Sequence, residues 1–189
     1  MNSTIIHIKN MVCPRCIDVV KNIYTELNIP IKHIQLGEVI SDTEINNRLK
    51  LTLGEHLSKN GFELLQNKNQ KTIEQIKTLI ITQIHYPKEQ LNSTFSIFIS
   101  EKLHQEYSSL SKLFSSVEGI TIERYIVNQK IERAKELLFY KEYSLSEIAF
   151  QMNYSSVAHL STQFKKETGM SPSQFKKLKN PNLKFLDSL

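Results

Sequence analysis

Two cysteines stand with two residues between them in Met11-Val-Cys-Pro-Arg-Cys16, and the chain has no other thiol. A pair at this spacing supports two kinds of chemistry. As thiolates, Cys13 and Cys16 would ligate one soft ion of low coordination number, such as Cu(I). As a dithiol, they would form a redox switch. A third reading gives them no chemistry: a relic in a domain kept for partner contact or dimerisation, which would make the chain a homodimer through its N-terminal part. The pair falls where a helix begins, so unpaired N–H groups and the positive end of the dipole favour thiolates, and Arg15 and Lys21 add to that field. A structural zinc needs four ligands, and no second cysteine pair is offered. His7, His33, His56 and His85 have no ligand spacing to one another and read as surface or core residues. No nucleophile–base pattern, phosphate-binding glycine loop or paired-carboxylate motif is present, so no enzymatic activity is expected.

Charge supplies the other chemistry. The net charge is +5, and residues 1–66 are balanced, so the whole excess lies beyond them. From Ser156 to Lys184 the chain carries Lys165, Lys166, Lys176, Lys177, Lys179 and Lys184 against Glu167 alone. Such a stretch attracts a polyanion or forms a solvated lysine-rich tail.

The elements that must position these groups follow from periodicity. The 189 residues are 40% hydrophobic and 23% charged, enough to bury a core. Five glycines and five prolines argue for long helices over a turn-rich sandwich. Residues 4–9 alternate as a strand; Pro14 opens a helix over 14–27 with Ile17, Val20, Tyr24 and Leu27 on one face. A second strand is read at 31–36, with no further strand between Leu36 and Ser41. Ser41-Asp-Thr-Glu44 reads as a capping box for a second helix, ended by Gly61 and followed by a strand at 62–65. The polar run 67–71 is read as a linker. Thr72-Ile-Glu-Gln75 is a second capping box, for a helix closed before Pro87. Helices follow at 95–105, 108–117 (burying Leu110, Leu113, Phe114 and Val117), 121–139, 144–152 and 156–168, with a last short one from Ser171-Pro172. A helix–turn–helix thus occurs twice, on either side of one long helix. There is no basic-then-apolar leader, and the apolar runs near 76–84 and 95–99 are too short for a bilayer. A soluble, cytoplasmic protein without a membrane partner is expected.

Between Tyr125 and Phe175 stand Ile131-Glu-Arg-Ala-Lys-Glu-Leu-Leu138, Leu145-Ser-Glu-Ile-Ala149, Tyr154-Ser-Ser, Phe164-Lys165, Gly169 and Ser171-Pro172. In residues and spacing this stretch resembles the AraC family of bacterial transcription regulators. The resemblance implies an all-α DNA-binding domain over 72–180, with seven helices and two helix-turn-helix units, and a tail at 181–189. It implies double-stranded DNA as partner, with a monomer placing two recognition helices in successive major-groove faces of one DNA side. Val157, Leu160 and Phe164 would lock the second recognition helix down, leaving Ala158, His159 and Thr162 outward, with Lys165 and Lys166 towards phosphates. Ser108, Ser111 and Lys112 hold the equivalent face of the first. Where the family has Gly in each turn, for positive φ, this chain has His104 and Asn153.

Residues 1–66 resemble the heavy-metal-associated domain, an α+β ferredoxin-like fold whose Met-x-Cys-x-x-Cys loop holds Cu(I) and related soft ions; Asn10 stands in place of the usual Gly. The combined expectation is a sequence-specific AraC-type transcription regulator that responds to a soft metal through Cys13 and Cys16. The alternative is a soft-metal carrier whose helical part docks to a partner.

Overall fold

A computed structural model describes residues 3–140, 143–178, 183 and 186. Lys179, Lys184 and most of the expected tail lie outside the described residues. The chain divides into two compact units, Met1–Leu79 and Ile80–Leu189.

The first unit runs β1 (Thr4–Lys9), α1 (Pro14–Glu26), β2 (Ile31–Gln35), β3 (Glu38–Ser41), α2 (Asn47–Lys59) and β4 (Glu63–Leu65). The strands form one sheet of order β2-β3-β1-β4, antiparallel throughout. Alternation in β1 buries Ile6 and Ile8 and leaves Ile5 exposed. These two pack with Val20, Ile23 and Tyr24 of α1, Leu53 and Leu57 of α2, and Val39.

The third strand corrects the sequence reading. Glu38–Ser41 pairs with β1 on one side and β2 on the other, reached by a turn in which Gly37 has φ +75°. A Cβ at Gly37 would also lie 2.8 Å from the Thr78 hydroxyl, so only glycine suits this turn. The first capping box fails as well. Helix α2 starts at Asn47, with Asn46 accepting from the Leu49 N–H at 2.9 Å. The Ser41 hydroxyl instead donates to the Pro30 carbonyl at 3.0 Å, at the end of a strand.

Next comes α3 (Lys68–His85), and the division between the units falls inside it. It begins within the stretch expected as a linker, so Thr72 is an interior residue. Its hydroxyl donates to the Lys68 carbonyl, four residues back, and caps nothing.

The second unit continues through α4 (Phe95–Leu103), α5 (Tyr107–Glu118), α6 (Ile122–Tyr140), α7 (Leu145–Gln151), α8 (Val157–Thr168) and α9 (Pro172–Phe175). The central α6 buries Ile122, Tyr125, Ile126, Ile131, Ala134, Leu137 and Leu138. It also buries Gln129, whose amide donates to the Tyr125 hydroxyl at 3.0 Å while its carbonyl lies 2.9 Å from His85 Nε2. Each buried polar group in that chain has a partner, which is what keeps it tolerable. On α5, Leu110 and Phe114 are buried, but Val117 is 52% exposed and leaves the expected core.

At α7 the capping box is complete. Ser144 accepts from the Glu147 N–H and the Glu147 carboxylate accepts from the Ser144 N–H. Ser144→Ala should therefore destabilise this unit by about 1 kcal/mol. Urea unfolding of the two proteins checks it, and an unchanged midpoint would show that the box contributes nothing here.

Candidate nucleic-acid interface

Two helix pairs carry the candidate residues. In the first, α4 turns into α5 through His104, at φ 52° and ψ 41°. In the second, α7 turns into α8 through Asn153, at φ 55°. Both are left-handed positions, where any side chain other than Gly costs energy and Asn costs least. His104→Gly should accordingly stabilise the fold by about 1 kcal/mol, whereas Asn153→Val should destabilise it by more than that. Denaturation midpoints of the two variants, moving in opposite directions, check the turn geometry.

Helix α8 is fixed from three sides. Its N-cap Ser156 accepts from the His159 N–H, and Gly169 ends it at φ 78°. Leu160 and Phe164 are fully buried, Phe164 meeting Phe175 edge-on at 5.4 Å between centroids. Val157 is only half-buried. Near its C-terminus, Glu167 accepts two hydrogen bonds from Arg124 of α6, at 2.7 and 2.6 Å. This pair holds the Glu167 carboxyl below the usual range. It also compensates the acidic group of the basic stretch, so the outer surface of α8 is dominated by Lys165 and Lys166.

Ala158, His159, Thr162, Lys165 and Lys166 are exposed, as expected of an outward face. On α5, Ser108 and Lys112 are exposed but Ser111 is half-buried, so its face is narrower than the spacing suggested. Tyr107 at the start of α5 donates to Glu123 of α6 at 2.5 Å, which ties the helix down. Of the basic cluster beyond α8, Lys177 is exposed and Lys176 half-buried.

Several contacts here were not read from the sequence. Ser155 Oγ lies 3.0 Å from His159 Nδ1. The Tyr154 ring stands edge-on to His159 at 5.1 Å. Among the described residues its buried hydroxyl has no hydrogen-bond partner, and burial, aided by the Glu167 charge, pushes its pKa up to about 12. Lys130 of α6 places its ammonium over the rings of both Tyr154 and Phe95, at 5.1 and 5.8 Å. The Tyr154 and Lys130 contacts join residues that share no helical period, so periodicity could not reveal them.

The cysteine pair is brought together, with Sγ atoms 3.2 Å apart, Cys13 being the N-cap of α1. Both thiols are half-buried. Burial, then the hydrogen bond with Cys13, pushes the Cys16 thiol up, the reverse of the expected thiolate. Desolvation outweighs the backbone N–H groups at this helix start. Among the described residues no group of three or more His, Cys, Asp or Glu is placed to hold a metal.

Residues 99–178 match a family model described as a helix-turn-helix domain. The chain is 26% identical over 142 residues to a probable transcriptional regulator, LumQ, from Photobacterium leiognathi, covering 75% of this chain and 55% of that protein. It is 27% identical over 139 residues to an uncharacterised HTH-type transcriptional regulator, YfiF, from Bacillus subtilis, covering 72% of this chain and 44% of that one. It thus spans about half the length of these relatives. Among solved structures, the C-terminal domain of AraT, a response regulator from Geobacillus stearothermophilus, superposes with a TM-score of 0.50 at 26% identity, over 59% of this chain and 88% of that one.

Proposed function

We propose that the chain is a sequence-specific transcription regulator of the AraC type that binds double-stranded DNA through α5 and α8, a reading supported by the helix-turn-helix match over residues 99–178 and by the likeness to the AraT C-terminal domain. The observation that carries this reading is the second unit's geometry: two left-handed turns, each followed by a helix with buried apolar anchors and an exposed polar face. Residues proposed for DNA are Ser108, Ser111 and Lys112 on α5, and Ala158, His159, Thr162, Lys165 and Lys166 on α8. The relatives named above are regulators rather than enzymes or metal carriers, which favours this reading over the carrier. No helix of the described residues is long and apolar enough to cross a membrane.

For the N-terminal part, the β-α-β-β-α-β order and the sheet order β2-β3-β1-β4 support the ferredoxin-like reading. In that reading residues 1–66 are a domain of their own, serving as a sensing or dimerising module. Cys13 and Cys16 would supply two soft donors to an ion such as Cu(I); with Cys16 favouring its protonated form, such an ion must displace protons to bind.

The DNA reading is tested by binding to genomic fragments at several salt concentrations. Affinity should fall steeply with salt, and removing a lysine that meets a phosphate should flatten the log–log slope by about 0.9. Lys166→Ala with slope and affinity both unchanged would take that residue out of the interface. Weak binding with no preference among fragments would overturn sequence-specific regulation.

A further inference from the structure

Behind the second turn, and wholly within the second unit, lies a cavity of about 260 Å³. Its wall is formed by the end of α3, the segment 87–91, Phe95, one face of α6 and the end of α7 with the turn residue Asn153. Much of the lining is apolar: Pro87, Leu91, Phe95, Phe150 and Met152. Phe150 is 67% exposed, a large aromatic side chain kept out of the core beside this space. Two of the lining amides are committed to shaping it, Gln83 donating to the Glu89 carbonyl at 3.0 Å and Gln90 to the Phe150 carbonyl at 3.4 Å.

The charged groups on the wall are Lys88, Glu89, Lys130 and Arg133. Arg133 is satisfied by Glu136 at 2.9 Å. Lys130 is different: its ammonium rests on two aromatic rings, and among the described residues no carboxylate pairs with it. Burial pushes its pKa down, so the site holds a cation short of counter-charge. Ring faces stabilise an ammonium less than a desolvated carboxylate does. Glu89 on the same wall would oppose a second negative charge on any occupant.

We propose that this cavity binds a small organic monocarboxylate, its carboxylate set on Lys130 and its apolar body among Leu91, Phe95 and Phe150. The volume equals that of roughly nine waters and suits an acid of about ten heavy atoms. A phosphate monoester, with its second negative charge, would meet the repulsion of Glu89.

The test uses the full chain without DNA, so its failure is distinct from failure of the DNA reading. Titration calorimetry compares 3-phenylpropionate with 3-phenylpropan-1-ol, which has the same apolar body and no charge. The acid should bind saturably at one site per chain, about tenfold tighter than the alcohol. Lys130→Met should erase that difference, and Lys130→Arg should retain it. Equal affinity for acid and alcohol, no saturable binding of the acid, or a preference that survives Lys130→Met would each overturn the proposal. Should Lys130→Met fail to fold, Phe150→Glu at its exposed position replaces it. That change should weaken the acid by about tenfold, and unaltered affinity would overturn the assignment.

Discussion

Phe164→Ala should destabilise the second unit by about 3–5 kcal/mol, the largest loss expected of any single truncation on α8. The side chain is fully buried and fills the space between α8 and α9, with its ring edge-on to Phe175. Truncation removes the transfer free energy of the ring and leaves a cavity that Leu160, one turn earlier and also fully buried, is too short to fill. A domain of this size holds a net stability of only about 5–15 kcal/mol, so a large share is lost at one site. The neighbouring Lys165→Ala, on the exposed face of the same turn, should change stability by under about 0.5 kcal/mol. Urea unfolding followed by circular dichroism, supported by hydrogen exchange of α8 amides, separates the two. A Phe164→Ala loss below about 1 kcal/mol would mean that α8 is held mainly by the Arg124–Glu167 pair and its caps.

Those anchors were legible because each obeys a local rule. Leu160 and Phe164 repeat at helical spacing, Ser144 and Glu147 form a reciprocal cap, Gly169 supplies a left-handed end, and Thr4–Lys9 alternates as one strand. The same local rules misled where a long-range partner decided the outcome. Ser41 and Thr72 have the Ser/Thr-x-x-Glu/Gln pattern, yet one hydroxyl serves a strand end and the other bonds back within α3. Strand β3 is only four residues long, and two neighbouring strands make it a strand where propensity alone cannot. Gly37 was the signal within reach: a glycine between two apolar segments marks the tight turn that joins β2 to β3.

The candidate site divides along the same line. Which residues of α8 face outward follows from period alone, and so does most of α5, with Ser111 and Val117 the exceptions. What sets their charge and orientation does not. Arg124 and Glu167 are 43 residues apart, and Lys130 reaches Phe95 and Tyr154 from a helix whose own pattern marks it only as polar. The cysteine pair shows the limit from the other side. A helix start favours the thiolate in general, but the burial of Cys16 is a property of the folded loop and reverses the balance.

If α5 and α8 bind DNA as proposed, they are expected to contribute unequally. Helix α8 presents His159 with Nδ1 engaged by Ser155, its ring backed by Tyr154, and Thr162 one turn further along the exposed face. A ring held on two sides loses little entropy when Nε2 meets a base, which suits it to discriminate. Helix α5 offers Ser108 and Lys112 exposed, with Ser111 half-covered. Serine reads either groove edge and specifies little, and a lone flexible lysine acts chiefly as a point charge on phosphate. His159→Ala and Thr162→Ala should each relax preference by about 1–3 kcal/mol at a base within one half of the site, roughly 5- to 150-fold. Lys112→Ala should weaken binding on every sequence by a similar factor and lower the salt slope by about one. Ser155→Ala should act in the direction of His159→Ala but more weakly, since it frees the ring without removing it. Binding of each variant to a panel of single-base operator changes resolves these patterns. If Lys112→Ala erases preference at particular bases while His159→Ala leaves every preference intact, α5 is the discriminating helix and α8 the anchor.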